Sequence, residues 1–306
     1  MKIKNYITVP FIILLAFIVL MVPKVSAQTI SIDSLNCFIE KAEQGDVDAQ
    51  FNIGITFFVE KDYNQAVKWL TKAAEQGHIG AQAYLGECYA RGEGVSQDYH
   101  KAVSLFKKAA EQEHSEAQTQ LGWCYYNGQG VNQDYHQAVG LFKKAAAQGH
   151  PEAEYYLGAC YYLGQGVTKN YNMAANWYKK AAEQRHVGAH YGLGICYYFG
   201  QGVPQDYEQA AKYYKIAAEQ GYAIAQFALG GCYSYERGVL QSDVLAAFWY
   251  KKAAEQGYPD AQYIMGVLYM GGIGVSRNES QGLFWFRKAA EQGHSEAKAQ
   301  LKLLNQ

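Results

Sequence analysis

The chain has 306 residues, 49% apolar and 18% charged, so it can bury a large core and is not compositionally disordered. Its formal net charge of −1 supplies no broad basic field, which excludes nucleic acid as an expected partner. Aromatic residues reach 15%, with 27 tyrosines against 13 phenylalanines, an excess that needs sites where a ring is half buried and its polar tip lies near water.

Residues 1–27 read as a cleaved secretory signal, with an uncleaved anchor as the alternative. Lys2 and Lys4 form a basic start, residues 7–22 form an apolar run, and Val25-Ser26-Ala27 carries the small-residue cleavage pattern before Gln28. The run is shorter than the ~20 residues that span a bilayer, and Pro10 interrupts it. Cleavage removes three lysines and leaves 24 basic against 28 acidic residues. The expected product is exported, periplasmic or secreted, with no membrane span and no lipid anchor.

Residues 28–48 are expected to form an N-terminal capping helix, since "KAEQG" (41–45) echoes a "KAAEQG" that recurs downstream. Seven repeats then follow, marked by Ala-x-x-x-Leu/Ile/Met-Gly starting at Ala49, Ala81, Ala117, Ala153, Ala189, Ala225 and Ala261. The units are 49–80, 81–116, 117–152, 153–188, 189–224, 225–260 and 261–296, and residues 297–306 supply a C-terminal capping helix.

Each unit predicts two helices joined by a Gly-rich turn, as in 153–163, then "GQGV", then 171–184. Asp98, Asp134 and Asp206 stand where a carboxylate caps the second helix, and Asp134/Gln137 and Asp206/Gln209 have capping-box spacing. Gly77, Gly149, Gly221, Gly257 and Gly293 stand where a left-handed residue ends that helix, whereas Glu113 and Arg185 hold the place in two units and are strained there. The first unit lacks four turn residues but keeps both helices.

The pattern A-x-x-x-L-G-x-x-Y, G-x-G-V-x-x-D-Y and K-A-A-E-Q-G stands in residues 153–185 apart from Asn170 and Arg185. It resembles the Sel-one-like repeat family, a branch of the tetratricopeptide-like helical solenoids, over residues 30–306. The resemblance implies an all-α, right-handed α-α superhelix of stacked helix-turn-helix repeats. It also implies a scaffold or adaptor of protein complexes, in bacteria often exported. Cysteine-rich secreted members of the family have been linked to penicillin binding and β-lactam hydrolysis, which makes a β-lactam or cell-wall hydrolase the alternative function.

Cys88, Cys124, Cys160, Cys196 and Cys232 fall at the eighth place of five successive units, on the face shared with the first and fifth places. Thr56 and Leu268 hold that place elsewhere, so it accepts a small or apolar buried group, and free cysteine behaves as a small hydrophobe. Stacked equivalents lie ~8–10 Å apart, beyond the ~7 Å a disulfide bridges, and no C-x-x-C or C-x-x-H spacing suits a metal. Cys37 has no second cysteine in its unit. No disulfide, metal site or cofactor is expected.

Ser104 and Lys107 have β-lactamase-like spacing, but Gly140, Asn176 and Lys212 replace the serine in other units and no S-D-N or K-T-G accompanies it. His78, His114, His150, His186 and His294 recur too far apart to share a metal ion and read as rings packed over a turn. No catalytic residue emerges, and the chain reads as non-enzymatic.

The informative stripe lies at places three, seven and ten of the first helix, where soluble helices are usually polar. Place three holds Tyr155, Tyr191, Phe227 and Tyr263; place ten holds Tyr126, Tyr162 and Tyr198. Trp123 stands at place seven, and place eleven adds Phe199 and Tyr235. In the resembled solenoids the first helices line the concave face, so these rings either pave a groove for a protein or extended peptide or are buried against the next unit. Residues 117–199 carry the richest part of the stripe, and a glycan is a further candidate ligand.

Overall fold

The computed structural model describes residues 39–304. The expected signal segment, residues 28–38 of the expected capping helix, Cys37 and residues 305–306 lie outside the described residues. Two compact units divide the chain at residue 148. In the first, a helical stretch at residues 39–43 precedes α1 (Val47–Val59), α2 (Tyr63–Glu75), α3 (Ile79–Arg91), α4 (Tyr99–Glu111), α5 (Ser115–Asn127) and α6 (Tyr135–Ala147). The second comprises α7 (Pro151–Leu163), α8 (Tyr171–Glu183), α9 (Val187–Phe199), α10 (Tyr207–Glu219), α11 (Ala223–Ser234), α12 (Asp243–Glu255), α13 (Pro259–Gly271), α14 (Glu279–Glu291) and α15 (Ser295–Leu304). Each unit is a helical solenoid in which odd- and even-numbered helices pair as hairpins, and within a unit each even helix also packs on the odd helix that follows it.

Hairpin packing explains the Leu-Gly pair of the repeat signature. A Cβ on Gly158 would come within 2.7 Å of the Tyr178 ring, and one on Gly122 within 2.7 Å of Phe142. The glycine is therefore the gap into which the second helix lowers an aromatic ring. Around it, Ala189, Leu193 and Cys196 join Ala174, Ala181 and Tyr178 in a continuous core. All five described cysteines are free and buried, and burial pushes the Cys160 and Cys196 thiols up to about 12.

Helix starts follow local chemistry. Asp206 accepts from Gln209 N at 3.0 Å, and Asn170 accepts from Met173 N at 3.0 Å. The expected capping box is not what protects the N–H of Asp134: that group donates to Tyr125 O at 2.9 Å, so the glutamine is not needed there. Helices α3, α5, α7, α9 and α15 are capped by histidine, whereas Asp46 caps α1 and Tyr222 and Tyr258 precede α11 and α13 without a side-chain cap bond. His114 Nδ1 accepts from Ala117 N at 3.2 Å, and His186 Nδ1 from Ala189 N at 3.2 Å. In the turns, a Cβ on Gly202 (φ 78°) would overlap the Tyr171 carbonyl of the preceding hairpin, so the backbones of successive repeats touch there. Glu113 and Arg185 adopt φ 62° and 64°, the left-handed backbone that glycine holds in the equivalent turns.

Candidate binding surface

The stripe anticipated from the sequence separates into two kinds of position. Place-three rings lie in the seam between consecutive repeats. Tyr155 stacks on His186, the cap of the next repeat's first helix, with centroids 4.7 Å apart, and also meets Tyr178 at 5.9 Å. Tyr191 meets Tyr222 at 5.6 Å, Phe227 meets Tyr258 at 5.1 Å, and Tyr263 stacks on His294 at 4.7 Å. Burial pushes the Tyr191 phenol up to about 12 and pushes the His186 imidazole down to about 4.

Place-ten rings close the hairpin ends. Tyr126, Tyr162 and Tyr198 lie edge-on to Tyr135, Tyr171 and Tyr207 at 5.1, 5.2 and 5.1 Å. The Tyr162 hydroxyl also donates to the Gln201 side-chain oxygen in the next repeat's turn. All of these rings are half buried. Their flat contact area is spent largely within the array, at seams and hairpin ends.

The place of the first helices that meets solvent most is eleven, with places four and seven on the same side at helical spacing but half buried at most repeats. In the second unit the outward ends Leu163, Phe199 and Tyr235 are 52%, 60% and 72% exposed, while Tyr156 and Ile195 on the same side are half buried. Trp123 is half buried at the same place seven in the first unit. Of the residues anticipated for recognition, Phe199 and Tyr235 are thus the most exposed, while Tyr155, Tyr191, Phe227 and Tyr263 pack in the seams and Tyr126, Tyr162 and Tyr198 close hairpin ends.

A set of seam contacts had no counterpart in the sequence reading. Gln226 accepts from Gln256 at 2.8 Å while donating to Ala218 O, and Gln262 accepts from Gln292 at 2.8 Å while donating to Ala254 O. Glu154 stands at the same place and accepts from Gln184 at 2.9 Å; burial raises its carboxyl above the usual range. The signal was present as a glutamine following the first alanine of most repeats.

Ser104 and Lys107 sit on the exposed side of α4, with the ammonium 5.9 Å from the Tyr125 ring centroid. Among the described residues no group of His, Cys, Asp and Glu could hold a metal ion. No helix among them is long and apolar enough to cross a membrane.

A model of the Sel1 repeat matches residues 47–78, 79–114, 115–150, 151–186, 187–222, 223–258 and 259–294, beginning each unit two residues before the Ala of the signature. No curated protein matches the chain. Among solved structures, the chain is 38% identical to c5321, a protective antigen of uropathogenic Escherichia coli with an SLR fold, at a TM-score of 0.72. That alignment covers 86% of this chain and 57% of the antigen, so the chain spans little more than half of the antigen's length. A Sel1 repeat protein from Oxalobacter formigenes is 34% identical, covering 78% of this chain and 96% of that one, also at a TM-score of 0.72. Seven matched repeats, the hairpin solenoids of both units and these neighbours place the chain in the Sel1 repeat family of helical scaffolds.

Proposed function

We propose that this chain is an exported scaffold that binds a protein or an extended peptide along the solvent-facing side of its first helices. The observation that supports the reading most is the row Leu163, Phe199 and Tyr235, which repeats at one place in three successive hairpins and leaves large apolar and aromatic side chains in water. Scattered exposed apolar residues are ordinary, but a repeated row of them marks an interaction site. Aromatic side chains give rigid contact area at low entropic cost. Export rests on the pattern of residues 1–27, with its lysines, apolar run and Val-Ser-Ala cleavage sequence.

The test is an affinity measurement rather than a reaction. The full chain, immobilised, is presented with exported proteins from a Gram-negative bacterium, and each captured partner is titrated against wild type and against Leu163→Ala, Phe199→Ala and Tyr235→Ala. A partner using this face loses binding by about tenfold or more with at least one replacement, while helicity is unchanged. Partners that bind all three variants as tightly as wild type refute the surface. β-Lactam hydrolysis above the spontaneous rate would return the hydrolase reading.

A further inference from the structure

The second helices of the last two complete hairpins depart from the rest of the array. At the place held by Ser104, Gly140, Asn176 and Lys212 in earlier repeats, α12 and α14 carry Phe248 and Phe284. Both rings are exposed, at 48% and 44%, and Val244 and Leu245 extend the apolar surface along α12. Phe248 and Phe284 do not lie loose: each stands edge-on to a buried tryptophan, Trp249 and Trp285, with centroids 5.1 Å apart. A groove of about 530 Å³ runs beside α14, with Phe284, Trp285 and Ala254 as its apolar wall and Lys288, Glu255 and Glu291 at its edge.

Charge decides what fits. Lys252 and Lys288 lie one turn beyond the phenylalanines, with their ammonium groups 5.1 and 6.0 Å from the ring centroids. Neither has a carboxylate within ion-pair distance among the described residues. At these two helix ends four cations, Lys251, Lys252, Arg287 and Lys288, stand against two carboxylates, Glu255 and Glu291, and Glu255 is already engaged by Lys251 at 3.8 Å. The two stripes, Leu245–Phe248–Lys252 and Gln281–Phe284–Lys288, which hold equivalent places in successive repeats, therefore each end in a region with a surplus of positive charge.

We infer that the α12–α14 face docks an acidic amphipathic helix of a partner protein, whose apolar side chains cover Phe248 and Phe284 and whose carboxylates pair with Lys252 and Lys288. This surface is separate from the first-helix row and does not depend on it. Helix-in-groove recognition uses anchors at i, i+4 and i+7, which suits a helix laid across apolar rings on successive second helices. A lysine already held over a ring and given a carboxylate gains a desolvated pair at the rim of an apolar contact.

The probe is a labelled peptide helix of about 18 residues with leucines at i, i+4, i+7 and i+11 and glutamates flanking them, titrated by anisotropy against the full chain. A second peptide has lysine for every glutamate, and phosphatidylserine vesicles form a third arm. The acidic peptide is expected to bind and the basic one to bind at least about tenfold more weakly. Phe248→Ser with Phe284→Ser should lose the acidic peptide by about tenfold or more, whereas Phe199→Ala should not change it. Lys252→Glu with Lys288→Glu should reverse the preference between the two peptides, which keeps the test decisive even if the serine variant loses helicity. The inference is overturned if the acidic peptide does not bind or the basic one binds equally well. Retention of peptide binding in the lysine variant overturns it too. So does vesicle binding or self-association that disappears with the phenylalanines, which would assign the face to a lipid surface or a second copy.

Discussion

His186 does two jobs for Tyr155 and Ala189. Its Nδ1 accepts the Ala189 N–H at 3.2 Å, and its ring stacks on Tyr155 at 4.7 Å. One side chain thereby begins a helix and joins that helix to the preceding repeat. The capping acceptor must be a neutral imidazole, so the seam depends on the protonation state of the ring.

Acid should weaken this seam. Burial, with His190 and His150 nearby, holds the His186 ring down to about 4 from the ordinary 6.5. Between those values the unfolded chain binds the extra proton, so the contribution is complete above about pH 6.5 and disappears as pH falls towards 4. His186→Asn keeps a capping oxygen that does not titrate. The melting temperature of wild type should fall more steeply than that of the variant from pH 6.5 to 4.5, by a difference worth about 1 kcal/mol once solvent screening of a partly exposed ring is allowed for. Parallel curves would sink the idea.

Seam and surface aromatics should respond differently to truncation. Tyr155→Ala removes contacts to His186 and Tyr178 and should cost about 2–3 kcal/mol, read as an earlier chemical-denaturation midpoint. Phe199→Ala, on a ring 60% exposed, should change stability by less than about 0.5 kcal/mol. Equal costs at the two positions would contradict the division into seam and surface.

The cysteine ladder should be chemically quiet. Cys160 and Cys196 are buried, and burial pushes both thiols up to about 12, which leaves almost no thiolate at neutral pH. Labelling of the folded protein with a thiol reagent should be slow and should accelerate on denaturation. Cys160→Ala should cost about 1 kcal/mol, and Cys160→Asp several times more, because the carboxylate has nowhere to be solvated. A disulfide between these residues in non-reducing peptide mapping would contradict the core role.

The hairpins, their spacing and the core place of the cysteines are legible from the 36-residue period because they follow from near-identical local chemistry. The stripe is legible only to within one place. Places three and ten are seven residues apart, as are four and eleven, so both sets lie along a helix side. Which set meets water is fixed by where the next repeat stacks, a contact no helical period records. His186 as a helix cap was hidden for another reason: histidine is not among the residues that usually begin helices, and its ring nitrogen serves only in the right tautomer. The apolar turn of α12 was visible as Val244, Leu245 and Phe248, but its exposure depends on how the hairpin is rotated.

The left-handed turn residues offer a stabilising test. Glu113 and Arg185 hold φ 62° and 64° where Gly77, Gly149, Gly221, Gly257 and Gly293 have positive φ at the equivalent turns. A side chain with Cβ in that region costs about 1–2 kcal/mol relative to glycine, while glycine gives back about 0.5–1 kcal/mol through its freer unfolded chain. Glu113→Gly and Arg185→Gly should therefore each stabilise the protein by about 0.5–1 kcal/mol, and the two together should add, since they lie in different repeats with no shared partner. The side chains at both positions are exposed, so little packing is lost on their removal. Denaturant titrations followed by helicity would show the gain as a shift of the midpoint at constant slope. A loss of stability in either single variant would mean that its side chain contributes more than the backbone strain costs, and the strain argument for that turn would fail.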